Sequence, residues 1–241
     1  QHKGKRLYLF GCTDDYAAMI IRRKAELTEY IAPGPAADLY GSIQKKAEFY
    51  EVCEKFGIPY PDSLMVDTDE DVTKALREAG FQSCWIKRGD FHAMHKEDVS
   101  YCRHAEEAQE VLKEYFYRGI KRAVINRHLV GDLIKFYGVA GQPFFFWFYP
   151  FEAGHSKYGL EAVNGAARHL PFDEAHLREI CDRAAKVTGV TIYGGDAIVD
   201  ADGSVRIIDF NDWPSFAPCR AEAAPWIAKA ILAEIKKYRK R

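Results

Sequence analysis

The segment YGGDAIVDADGSVRIIDFN (193–211) restricts the possible folds more than any other part of the chain. Asp202-Gly203 between two alternating apolar runs predicts a hairpin, because Gly accepts the positive φ that a two-residue type I′ loop demands. With those residues as the loop, Ala201 pairs with Ser204, and Asp196 lies directly opposite Asp209. Alternation then puts Ile198, Ile207, Asp209 and Asn211 on the face of Asp196, and Val199, Ile208 and Phe210 on the other. Both faces carry apolar side chains, so the hairpin is expected within a sheet. Two carboxylates roughly 5 Å apart there repel by about 3 kcal/mol at an effective dielectric of about 20. A shared proton, a nearby Lys or Arg, or a divalent cation would each offset that repulsion. Asn211, opposite Gly194 with room beside it, adds a neutral oxygen. Two carboxylates and an amide oxygen are hard donors that suit Mg²⁺ or Mn²⁺, with water and substrate phosphate completing the coordination. On the hairpin alone, a hydrogen-bonded acidic pair at a sheet edge is the plainer reading.

A chain of 241 residues with 48% hydrophobic content can build a sizeable core, as one large domain or two or three small ones. The balance of 34 basic against 35 acidic residues leaves no electrostatic footprint for nucleic acid or an anionic membrane. The longest apolar stretch, PFFFWFYPF (143–151), is about half the length a membrane-spanning helix requires and is aromatic like a strand. Neither a nucleic-acid partner nor a membrane is expected. The six cysteines show no metal-ligand spacing and mostly sit in apolar patterns. They read as buried free thiols in a reducing compartment, with the cytoplasm as the default. The chain starts at Gln1 and enters a strand at 6–10, which suggests that the N-terminus of a longer protein is missing.

RLYLFG (6–11) reads as a buried strand, followed by a helix over 14–24 and a linker at Pro33-Gly34-Pro35. Ser42 is placed to cap a helix that Gly57 ends before the extended IPYP (58–61), with Lys45 and Lys46 in its first turn. Strand 64–66, helix 70–79, strand 83–87, the polar loop RGDFHAMHKED (88–98), strand VSYC (99–102) and helix 105–117 form an α+β block. Three strands follow at 122–126, 132–140 and 143–149, then a loop (152–171), a helix at 173–188, the hairpin, and a last helix at 222–238.

This order resembles the ATP-grasp fold from about residue 41 to the end. The features that carry the resemblance are a lysine-bearing helix ending GIPYP, a strand with a central lysine (CWIKRG), a strand running into a polar turn (VINRHLVGD), and the closing D-x12-D-x-N pair. The spacing of Asp196, Asp209 and Asn211 is similar to that of the metal ligands in D-alanine–D-alanine ligases. TDDYA and KKAEFYEVCEKFGIPYP look most like carboxylate–amine ligases of the D-aspartate ligase type. The implied fold class is α+β, with two subdomains gripping ATP: a lid over about 62–122 and a core over about 123–241. Residues 1–40 would be the remnant of a Rossmann-like pre-ATP-grasp domain.

The resemblance implies roles residue by residue. Lys87 and Lys46 would neutralise the α/β-phosphates, and cations aimed at a polyphosphate count most where water is excluded. Residues 126–129 (Asn126, Arg127, His128, Leu129) would be the hinge whose backbone meets the adenine edge, with Ile125 and Leu129 sandwiching the ring. Asp132 would serve the ribose. Lys135 would face the phosphates or the second substrate, and Arg168 would steady the transferred phosphoryl group, although both also suit structural ion pairs. The lid loop departs from the family pattern, having Gly89 as its single glycine. His92 and His95 would donate hydrogen bonds in its place, bind metal, or simply be solvated. The implied activity is an ADP-forming ligation using ATP and Mg²⁺ (or Mn²⁺), with small-molecule carboxylate and amine substrates; a homodimer is compatible with this. Lys157, Tyr158 and Glu161 are acceptor-side candidates. A small-molecule kinase and a non-catalytic nucleotide-binding protein are the alternatives.

Overall fold

A computed structural model describes residues 7–9, 23, 31–33, 46–89, 96–154 and 160–239. The helix expected at 14–24 (Arg23 apart), the Ser42 cap, Cys12, His92, His95, Lys157 and Tyr158 lie outside the described residues, as do the side chains of Lys46 and Glu161.

Alternating side chains in the first half of the chain build a four-stranded antiparallel sheet. Its strands are β3 (Ser63–Asp67), β4 (Cys84–Arg88), β5 (Val99–Cys102) and β6 (Arg122–Arg127), in the order β3-β6-β4-β5. One face sends Cys84, Ile86, Cys102, Ala123 and Ile125 into a core with Leu76 of α2 (Thr73–Glu78) and Ala108, Leu112 and Tyr115 of α3 (Ala105–Tyr117). The buried residues of α3 recur at helical spacing, and His104 caps its start by accepting from Glu107 N–H. The opposite face presents Lys87, Val124 and Asn126 to Tyr50. β6 pairs with β3 on one side and β4 on the other, so it lies inside this sheet.

The second antiparallel sheet runs β10-β9-β7-β8, from β7 (Asp132–Val139), β8 (Phe145–Phe148), β9 (Ile192–Val199) and β10 (Val205–Asp212). Ile134, Phe136, Tyr193, Ala197, Val199 and Phe210 pack against α4 (Glu174–Thr188) and against Phe49 and Cys53 of α1 (Lys46–Phe56). Phe136 is fully buried against Tyr193 and Phe210, and such burial contributes about 1.5–3 kcal/mol. Tyr193 crosses β7 so closely that a Cβ on Gly138 would stand 2.3 Å from its ring. Asp173 caps α4 by accepting from Ala175 and His176 N–H, and Gly189 ends it at φ 73. The other side of the sheet, at its Tyr137 and Val139 end, is covered by Ala223 and Ala230 of α5 (Arg220–Arg239).

β1 (Leu7–Leu9) and β2 (Ile31–Pro33) form a separate parallel pair. The second of these strands occupies part of the stretch read from sequence as a linker. The described cysteines, Cys53, Cys84, Cys102, Cys181 and Cys219, are buried free thiols. Among the described residues no helix is long and apolar enough to cross a membrane.

Candidate functional site

Asp196 and Asp209 are direct cross-strand partners, and Asn211 pairs with Gly194. The route to this register differs from the expected one. The turn has three residues in its loop, because Asp200 and Ser204 close it (Asp200 N to Ser204 O, 2.9 Å) and Gly203 takes φ 80. Val205 therefore pairs with Val199, one step away from the two-residue count. A bulge between Ile207 and Asp209 inserts Ile208 and restores the count, so the carboxylates still meet. Ile207 consequently joins Val205 and Phe210 in the core, not the face of Asp196 as alternation implied. The room expected beside Asn211 is also filled. A Cβ at Gly194 would meet the Pro214 ring at 2.8 Å and the Phe136 carbonyl oxygen at 2.9 Å.

The third strand supplies the cation. Lys135 on β7 stands opposite Asp196 and donates from Nζ to Asp196 Oδ1 at 2.6 Å. The two side chains are 17% and 22% exposed, so this pair is shielded from water but not sealed. Burial pushes the Asp196 carboxyl up; Lys135 pulls it down, Asp209 pushes it up again, and Lys87 is near enough to lower it. Asn211 Nδ2 donates to Asp209 Oδ2 at 2.8 Å. One face thus gathers two opposed carboxylates, an amide and two ammonium groups. Its oxygens are hard donors of the kind a divalent cation takes, and its ammonium groups suit phosphate or carboxylate anions.

Lys87 reaches this face from the other sheet. Its Nζ donates to the Ile208 carbonyl at 2.7 Å and to Tyr50 Oη at 3.3 Å. α1 is fastened to the same bulge, since Ile207 N–H donates to the Pro59 carbonyl at 2.9 Å just beyond the helix. Sequence reading missed Tyr50 and the Ile208 carbonyl. A tyrosine at a core-facing helical position looks like packing, and a bulge has no signature in two adjacent isoleucines.

The segment 126–132 is held mostly through its side chains. Asn126 is buried, its Oδ1 facing Tyr50 Oη at 3.1 Å and its Nδ2 donating to Ser63 Oγ at 2.7 Å. The Arg127 guanidinium lies over Phe81, 4.6 Å from the ring centroid, and donates to Asp62 and to the Ala79 and Gly80 carbonyls. The Leu129 carbonyl accepts from Asn164 Nδ2 at 3.1 Å. Ile125 cannot line a ring pocket, because alternation turns it into the α3 core where it is fully buried. The Asp132 carboxylate accepts the backbone N–H groups of Arg168 (2.8 Å) and Leu170 (2.7 Å), anchoring the loop that carries Arg168. The Arg168 side chain is 53% exposed, with Nε 3.8 Å from Asp132.

His128 accepts from Trp85 Nε1 at its Nδ1 (3.0 Å) and packs edge-on against Tyr101. Burial pushes its pKa down. Protonating Nδ1 would set two N–H donors against each other. A histidine depressed in the fold contributes stability above its unfolded pKa, about 6.5, that is lost as pH falls through that value toward the folded one. The melting temperature is therefore expected to fall between about pH 7 and pH 5, and His128→Gln, which can still accept from Trp85, to flatten that slope. An unchanged slope in circular-dichroism melts of the variant would remove His128 as the cause.

No protein-family model matches the chain. Over 65 residues, 27% of this chain, the sequence is 43% identical to the D-aspartate ligase of Enterococcus faecium (strain Aus0004), and the match spans 15% of that enzyme. The architecture is similar to the D-alanine-D-alanine ligase from Coxiella burnetii, with TM-score 0.65 and 15% identity, covering 95% of this chain and 67% of that one. It is also similar to the RimK domain ATP-grasp protein of Sphaerobacter thermophilus DSM 20745 (TM-score 0.64, 13% identity, 92% of this chain and 78% of that one). The ATP-complexed D-alanine–D-alanine ligase of Bacillus anthracis gives TM-score 0.61 at 15% identity, over 91% of this chain and 75% of that one.

Proposed function

Given a chain with the ATP-grasp fold, we propose that it is an ATP-dependent, ADP-forming ligase that joins a carboxylate to an amine. The observation that carries this reading is the Asp196–Asp209 pair with Asn211 on one face, met by Lys135 from the adjacent strand and by Lys87 from the other sheet. In this reading the first sheet is the lid and the second the core. The parallel β1–β2 pair supports taking residues 1–40 as part of a Rossmann-like pre-ATP-grasp domain. The similarity to D-aspartate ligase favours an amino-acid carboxylate.

The donor set fits a hard divalent cation: Asp196, Asp209 and the Asn211 amide oxygen would hold Mg²⁺ or Mn²⁺. Bound there, the ion would offset charge on the phosphoryl oxygens. The chain's own residues position and neutralise. Lys87, with Lys46 from the start of α1, meets the polyphosphate. Lys135, beside Asp196, would face a substrate anion, and Arg168 would face the transferred group. The carboxylate oxygen forms a bond to the γ-phosphorus as the bond to the leaving ADP oxygen breaks. The amine nitrogen then attacks the acyl carbon, phosphate leaves with the C–O electron pair, and the amine loses a proton to solvent. No protein nucleophile is needed.

The test is to supply ATP, Mg²⁺, hydroxylamine and a panel of amino acids beginning with D-aspartate and D-alanine. Hydroxamate formation with ADP release is expected, because hydroxylamine traps an acylphosphate. Phosphoryl transfer to a hydroxyl substrate, with ADP released and no hydroxamate formed, would mean a kinase. Binding of ATP with neither product would mean a nucleotide-binding protein.

A further inference from the structure

The Tyr50 hydroxyl touches both sheets at once. Its one proton serves the Ile208 carbonyl of β10 at 2.9 Å or Asn126 Oδ1 of β6 at 3.1 Å, and its oxygen accepts from Lys87 Nζ of β4 at 3.3 Å. Lys87 closes the triangle on the same Ile208 carbonyl at 2.7 Å. A strand carbonyl is ordinarily committed to its ladder. Ile208 is the extra residue of the bulge, so its oxygen can take two donors, one for each lone pair. The remaining contacts are satisfied in sequence: Asn126 Nδ2 donates to Ser63 Oγ, and Ser63 Oγ donates to the Pro61 carbonyl. Burial, and then the charge of Asp209, push the Tyr50 pKa well up, so the phenol keeps the proton it donates.

We infer that Tyr50 is a positioning residue: its hydroxyl, with the bulge carbonyl of Ile208, holds the Lys87 ammonium of the first sheet against the second, beside the Asp196–Asp209 pair, and so sets where an incoming polyphosphate meets that cation. Only the last clause rests on the nucleotide reading above. Packing alone does not need the hydroxyl. The ring meets Phe49 edge-on at 5.8 Å and Tyr60 at 5.6 Å, contacts that phenylalanine would keep.

The experiment is competitive acylation of lysines in the wild-type protein and in Tyr50→Phe, read by mass spectrometry against Lys74, whose side chain is 84% exposed. Wild-type Lys87 is expected to react about tenfold more slowly than Lys74, a result that needs no variant. Tyr50→Phe should speed Lys87 by about fivefold, the worth of one hydrogen bond, and leave Lys74 unchanged. Mg-ATP calorimetry adds a double-mutant cycle: Tyr50→Phe should weaken binding by about fivefold, yet add nothing to Lys87→Ala. Unaltered Lys87 reactivity in Tyr50→Phe, or additive losses in the cycle, would overturn the inference. Wild-type protein that binds no Mg-ATP would remove the nucleotide clause and the ligase reading with it, while the acylation rates still decide whether Tyr50 positions Lys87.

Discussion

Asp209→Ala is expected to lower turnover by at least about a thousandfold, while the protein melts at or slightly above the wild-type temperature. Losing one of two carboxylates from a divalent-ion site removes several kcal/mol of charge stabilisation at the phosphoryl group, and about 4 kcal/mol is a factor of a thousand. Stability moves the other way. Asp209 pushes up the pKa of Asp196, so its charge is unfavourable to that carboxylate in the cation-free protein. At roughly 5 Å and an effective dielectric of about 20, that repulsion is about 3 kcal/mol for the carboxylate pair. The hydrogen bond from Asn211, 2.8 Å long, returns only about 1 kcal/mol when lost. Activity assays and differential scanning calorimetry on the same preparation test both halves. Undiminished turnover would sink the site, and a large fall in melting temperature would make Asp209 a structural residue.

The facing of Asp196 and Asp209 was legible in the sequence, but by a path in which two local departures cancel. Asp-Gly signals a turn without stating how many residues close it, and the side chain of Asp202, accepting from Ser204 N–H at 2.9 Å, favours the longer loop. The bulge at Ile208 then shifts the strand by one. Neither departure has a composition cue, because a bulge is selected by what its freed carbonyl and altered twist can reach. Here these are Tyr50 and Lys87, residues 158 and 121 positions away in the chain. Helices fared better than loops. α3 spans Ala105–Tyr117 as its periodicity requires, since apolar spacing and capping are local properties.

The turn at 126–132 illustrates the opposite limit. The resemblance assigns the backbone of 126–129 to the adenine edge and Asp132 to the ribose, and the side chains of Asn126, Arg127, His128 and Asp132 are all engaged with protein partners. Polar residues beside a sheet end look alike in sequence whether they meet a ligand or fasten a loop, and only the third dimension separates the two uses. What such fastening provides is a rigid backbone, and a backbone edge is what the resemblance assigns to the adenine.

Lys135→Met is expected to lower the melting temperature of the cation-free protein by roughly 3–10 °C at neutral pH, on a cost of about 1–3 kcal/mol for a charged hydrogen bond lost in a partly buried place. The side chain's removal leaves Asp196 facing Asp209 without the ammonium now 2.6 Å away. The deficit should shrink in acid. Asp196 already has a raised carboxyl pKa through burial, and losing Lys135 raises it further. A carboxyl raised in the fold binds its proton more readily than in the unfolded chain. Its contribution is fully present below the unfolded value of about 3.9 and is lost as pH rises through the folded one, so wild type and variant should converge as pH falls toward 4. Millimolar Mg²⁺ should narrow the gap at neutral pH, because a cation on the carboxylates replaces the missing ammonium and stabilises the folded state by mass action. Melting curves across pH, with and without Mg²⁺, separate the possibilities. A gap that ignores both pH and Mg²⁺ would mean that Lys135 stabilises β7 by packing its stem, and that the Asp196–Asp209 pair is neutralised by some other group.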